Sequence, residues 1–117
     1  MTIQELWDSG IFKQVNEGED MEREITKPFC CDLLSIAMSK APAGCAWVTV
    51  MGNMNTLAVA ALADAACVIM AENAHLDQTA MNKARVQGIT VLETELPIFD
   101  AALKIFRLLP EGGEKGL

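Results

Sequence analysis

At 117 residues the chain is long enough for one domain with a substantial core, and its 51% apolar content excludes a largely disordered protein. Sixteen acidic against nine basic side chains give a net charge of −7, and the bases form no stripe, so no nucleic-acid partner is expected. No apolar run reaches the roughly 18 residues of a membrane span, since Asp64 interrupts the longest, and the N-terminus lacks a signal peptide's basic and apolar regions. The expected setting is cytoplasmic, with no membrane partner.

Thr2 and Glu5 form a capping box that opens a short helix with Ile3, Leu6 and Trp7 on its apolar face, and Gly10 stops it. Trp7 is the expected anchor of that helix on the body. Residues 11–15 read as a short strand, followed by a solvated acidic turn over 16–20. Residues 24–27 read as an edge strand closed by Pro28. From Phe29 the pattern takes a helical period, with Phe29, Leu33, Leu34, Ile36 and Ala37 inward, until Pro42 and Gly44 break the chain.

The central part alternates apolar strand and helix. Residues 45–51 and 67–71 read as buried strands, 56–63 and 78–87 as helices, and 89–92 as a further strand. Strands separated by about a dozen helical residues cannot be hairpin partners, so these three are expected to lie parallel in one sheet. Asn55 is the expected N-cap of the first helix, and Leu57 and Leu62 are expected to fill its packing. Asp77 is the expected N-cap of the second. A last helix runs to Leu109, with Ile98, Ala101, Ala102, Ile105 and Leu108 or Leu109 inward. The fold class is α/β: a mainly parallel central sheet built from three βα units over 45–109, with N-terminal helices and short edge strands. One domain is expected over 1–109, with a loose tail over 110–117. Chain order leaves strand order open.

Few residues carry chemistry. Cys45 and Cys67 fall in core strands, where thiols act as small apolar groups. Cys30 and Cys31 are adjacent, which is not the C-x-x-C spacing of a tetrahedral metal site, and the remaining alternative for that pair is redox sensing. No metal or cofactor is expected. His75 is the only histidine and has no motif partner, and Ser35 and Thr49 lack the neighbours of a catalytic nucleophile, so no catalytic set is predicted.

Parallel strands that end in tight turns and open helices present free backbone N–H groups at one sheet edge, where such folds hold small anions. Two neighbouring loops of this kind, 52–55 and 72–77, define a candidate crevice with Gly52, Asn53, Met54, Asn55, Glu72, Asn73 and His75. Thr94 and Glu95, with Glu93, follow the third strand at the same edge. A small anionic or polar metabolite is the expected ligand class. A protein partner is the alternative, and a homodimer is expected.

The segments Cys31-Asp-Leu-Leu-Ser-Ile-Ala-Met38, Ala46-Trp-Val-Thr-Val-Met-Gly-Asn-Met-Asn55 and Glu93-Thr-Glu-Leu96 resemble DRTGG-domain proteins, most of all their short, free-standing bacterial members. The similarity spans about residues 3–108. It implies an α/β layer structure similar to the N-terminal domain of HPr kinase/phosphorylase. It also implies a regulatory or ligand-sensing role, as for relatives beside CBS domains in some pyrophosphatases and within some phosphotransacetylases. The kinase's catalytic machinery lies in a separate domain, so the resemblance implies no phosphotransfer. The family is named for an Asp-Arg-Thr stretch and a Gly-Gly pair on neighbouring loops. Asn53, Met54 and Asn55 occupy the first here, and Glu72 and Asn73 the second, so the arginine fork suited to phosphate is replaced. The expected function is a non-catalytic regulatory module. The alternatives are a scaffold subunit of a larger complex and, further off, a small enzyme using Glu93, Glu95 and His75.

Overall fold

The computed structural model describes residues 1–110, a layered α/β fold, and residues 111–117 of the expected tail lie outside the described residues. The strands are β1 (Lys13–Asn16), β2 (Pro28–Cys30), β3 (Ala46–Thr49), β4 (Cys67–Met70) and β5 (Thr90–Glu93). The helices are α1 (Ile3–Asp8), α2 (Leu34–Lys40), α3 (Met54–Leu62), α4 (Gln78–Gln87) and α5 (Ile98–Leu108). One sheet runs in the order β1-β5-β4-β3-β2. β2 through β5 are parallel, and β1 closes the other edge antiparallel to β5.

Each of the crossovers from β2 to β5 steps one strand in the same direction. Connections of one hand therefore lay α2, α3 and α4 on one face. The strand alternation follows: Trp47, Val68, Met70 and Val91 pack with Leu57, Ala60, Ala80 and Ala84 from those helices. Ala46, Val48, Cys67, Ile69 and Leu92 face the other way, onto Ile3 and Leu6 of α1 and Ala101, Ala102 and Ile105 of α5. The central strands β3, β4 and β5 are buried on both sides, which explains why they read as largely continuous apolar runs.

The capping box of α1 forms as expected, with Thr2 Oγ1 accepting from Glu5 N and Glu5 Oε1 from Thr2 N. Its anchors are Ile3 and Leu6, both buried, whereas Trp7 is only partly covered. Three further expectations are corrected. The edge strand lies at Pro28–Cys30 rather than over 24–27, and Pro28 opens it. A proline as first residue of an edge strand removes no ladder donor. Phe29 belongs to that strand, so α2 starts only at Leu34; Leu33 and Ile36 are exposed, and Ala37 is its one buried residue. On α3, Leu57 is buried but Leu62 is exposed. Of the two leucines left open at the end of α5, Leu109, its C-cap, turns inward and Leu108 is exposed.

Cys45 and Cys67 are fully buried, and burial pushes both thiols up to about 12. Cys30 lies exposed on β2, its thiol also raised, first by partial desolvation and then by the nearby Asp32 and Cys31. A thiol reagent at neutral pH is therefore expected to modify the native protein at the accessible Cys30 and Cys31, slowly at Cys30, with Cys45 and Cys67 reacting only after denaturation. Mass-spectrometric mapping of labelled peptides checks this; native labelling of Cys45 or Cys67 would contradict the packing.

Candidate functional site

The loops after β3 and β4 emerge at the same edge of the sheet, as parallel strands require, but no crevice separates them. A Cβ on Gly52 would clash with the carbonyl oxygen of His75, and Asp77 N donates to Gly52 O at 2.8 Å. Glycine is needed here because the two backbones touch. The cap of α3 is Asn53 rather than Asn55: its side-chain oxygen accepts from Asn55 N at 3.0 Å and Thr56 N at 3.3 Å. That geometry takes up N–H groups which the sequence reading left free for an anion. Asp77 caps α4 as expected, accepting from Ala80 N at 2.8 Å.

The open space lies one strand further along. β4 leads to α4 on one face, while β5 leads to α5 on the other. Loops that diverge to opposite faces leave a gap at the carboxyl ends of their strands, the place where ligands bind in open α/β sheets. A cavity of about 520 Å³ sits there, lined by Ile11, Lys13, Asn73, His75, Glu93, Thr94, Glu95, Leu96 and Lys104. Its floor is held by backbone bonds between the two loops: Glu72 N to Leu96 O, Asn73 N to Thr94 O, and Thr94 N to Met70 O, all 2.9–3.0 Å. Thr94 Oγ1 accepts from Leu96 N at 3.2 Å, which shapes the turn at the rim.

Asn73, His75, Thr94 and Glu95 thus line one cavity, and Gly52, Asn53, Met54, Asn55 and Glu72 do not. His75 Nδ1 lies 3.0 Å from Glu93 Oε1, with the glutamate side chain 10% exposed and the histidine 58%. The pair joins the loop after β4 to the end of β5 at the cavity wall. Lys13 and Lys104 line the same cavity but take part in no ion pair among the described residues. Sequence reasoning missed both lysines. Lys13 sits opposite Glu93 only because β1 pairs with β5, and nothing local foretells that pairing. Lys104 was legible only as a residue off the apolar face of α5.

Glu72 and Asn73 both adopt left-handed backbone, φ 59° and 61°. For glutamate that conformation costs about 1 kcal/mol relative to its preferred regions. Glu72→Gly is expected to raise stability by about 0.5–1 kcal/mol, with Glu72→Ala close to neutral. Urea unfolding curves of the two variants check this; equal midpoints for both would remove the strain argument.

A second cavity, about 290 Å³, opens near the other ends of the strands and is lined in part by Arg23, Asp64, Gln87 and Thr90. Arg23 is already committed there. Its Nη1 and Nη2 donate to the two Asp64 carboxylate oxygens at 2.7 and 2.9 Å, which holds that carboxylate below its ordinary range. Among the described residues no group of three or more His, Cys, Asp or Glu side chains is placed to hold a metal ion, and no helix is long and apolar enough to cross a membrane.

No family model matches the chain, and no curated protein matches it by sequence.

Proposed function

We propose that the chain is a non-catalytic regulatory module of the DRTGG type, cytoplasmic, that senses a small polar metabolite in the cavity between the β4 and β5 loops. The single observation that carries this reading is that cavity. Its volume of about 520 Å³ falls in the range of small-molecule sites, and it sits where open α/β sheets place their ligands. Its polar groups come from β1, from both loops and from α5, so ligand binding would tie together elements far apart in the chain. The family resemblance is supported at one point of backbone geometry. The positions matched to the Gly-Gly pair, Glu72 and Asn73, hold the left-handed conformation that glycine adopts without cost. The stretch matched to Asp-Arg-Thr caps α3 through Asn53 and contributes nothing to the cavity, which favours a metabolite over a nucleotide.

A thermal-shift screen of acids, amino compounds, phosphorylated metabolites and nucleotides, followed by calorimetry, tests the reading. The expected result is a ligand whose binding falls in His75→Ala and Lys104→Ala. Failure of every class to bind would overturn it. Mass spectrometry of the same mixtures addresses catalysis, because the His75–Glu93 pair has the form of a base and its orienting carboxylate. Turnover lost in His75→Ala would make the protein an enzyme.

A second reading, an interaction subunit of a larger complex, is favoured by the exposed Leu33, Ile36 and Met38 beside and on α2, the helix after the open edge strand β2. Purification at native abundance separates the two: a stable heteromer with an empty cavity supports the interaction role.

A further inference from the structure

The cavity's charges are arranged in an unusual way. Glu93 and Lys13 are register partners across the β1–β5 pairing, and Glu95 and Lys104 line the same space. Opposite charges so placed ordinarily join. Here the glutamate turns to His75, and neither lysine forms an ion pair among the described residues. Glu93 is largely buried, and its second carboxylate oxygen accepts no hydrogen bond from a described residue. The cavity therefore offers a sheltered acceptor and two ammonium groups without an ion-pair partner among the described residues.

We infer that the ligand of this cavity is a small zwitterion of the amino-acid class, its ammonium held by Glu93 with Glu95 and its carboxylate by Lys13 with Lys104. The inference rests on the ligand-sensing reading above and narrows it. A simple anion would gain the lysines but meet two carboxylates, one of them in a sheltered, weakly screened position. A simple cation would gain the carboxylates but meet both lysines. Opposite charges on one molecule match both sets, and unlike-charge complementarity of this kind selects against either partial ligand. The volume of about 520 Å³ accommodates a free amino acid with its side chain, which Ile11 and Leu96 give an apolar wall.

Amide-resolved NMR titration tests this with alanine, glutamate, leucine and lysine, the N-acetyl and carboxamide forms of each, inorganic phosphate as a pure anion and putrescine as a pure cation. At least one free amino acid is expected to shift the amides of Asn73, His75 and Thr94. Either capped form should bind at least about tenfold more weakly, the loss of one charge-assisted contact. The double variant Lys13→Ala/Lys104→Ala removes only exposed side chains, so its fold is retained. It should weaken the free amino acid by about tenfold or more while leaving the carboxamide form unchanged. Glu93→Gln should do the reverse, weakening the carboxamide form and sparing the N-acetyl form. If phosphate or putrescine shifts the same amides as strongly as any free amino acid, the zwitterion is wrong and the ligand-sensing reading stands. If no panel member shifts them at roughly 10 mM, well above the expected dissociation constant, the inference fails. The sensing reading falls with it only if the wider thermal-shift screen is also empty.

Discussion

Trp47→Ala is expected to cost about 4–5 kcal/mol, most of the stability of a typical domain of this size. Trp47 is fully buried in the middle of the sheet, packed among Leu57, Val68 and the alanines of α3 and α4. Its indole Nε1 donates to the carbonyl oxygen of Cys31 at 3.0 Å, so truncation both empties a large volume and strands an acceptor. That hydrogen bond also ties the start of the β2–α2 connection to the central strand. Trp47→Phe keeps a ring while deleting the donor, and is expected to lose about half as much. Chemical denaturation followed by circular dichroism measures both. A loss below about 2 kcal/mol for Trp47→Ala would mean that the surrounding alanines close the space, contrary to the close-packed core described above.

Gly52→Ala is the second large effect, and it reaches the candidate site from a distance. The new methyl would clash with the His75 carbonyl oxygen. The obstacle is backbone, so no side-chain rotation relieves it; the β3–α3 hinge and the 71–77 loop must move apart. That separation breaks the bond from Asp77 N to Gly52 O and pulls His75 from Glu93. The expected cost is about 2–3 kcal/mol, with weaker binding at the cavity although residue 52 does not line it. Urea midpoints give the first quantity and titration of the cavity's ligand the second. Wild-type values for both would show that the two loops slide independently.

The three central strands and their crossovers were legible from pattern alone. Residues 45–51, 67–71 and 89–92 are apolar runs bounded by turn signals, and the capping box at Thr2 and the cap at Asp77 are contacts within four residues. The N-terminal third was harder to read. Phe29, Leu33 and Ile36 match a helical period, yet Phe29 pairs in β2 and the other two face outward. A helix of seven residues at the rim of a sheet covers little area, so its apolar spacing carries little information. Asn53 and Asn55 illustrate a finer limit. Both are good capping residues two positions apart, and which one caps depends on where the strand before them ends.

Local periodicity and capping were enough to dictate a parallel α/β layer, because they act within a dozen residues and the burial of both sheet faces leaves few alternatives. They were also enough to place His75, Thr94 and Glu95 at the carboxyl ends of strands. Which of the loops there would part was settled by the assembled fold. α3 and α4 share a face and press 52 against 75; α5 crosses to the opposite face and opens the space beside β5. Lys13 enters that space through an antiparallel pairing about 80 residues away in the chain. Contacts of that range depend on the whole packing, and no short stretch of residues encodes them.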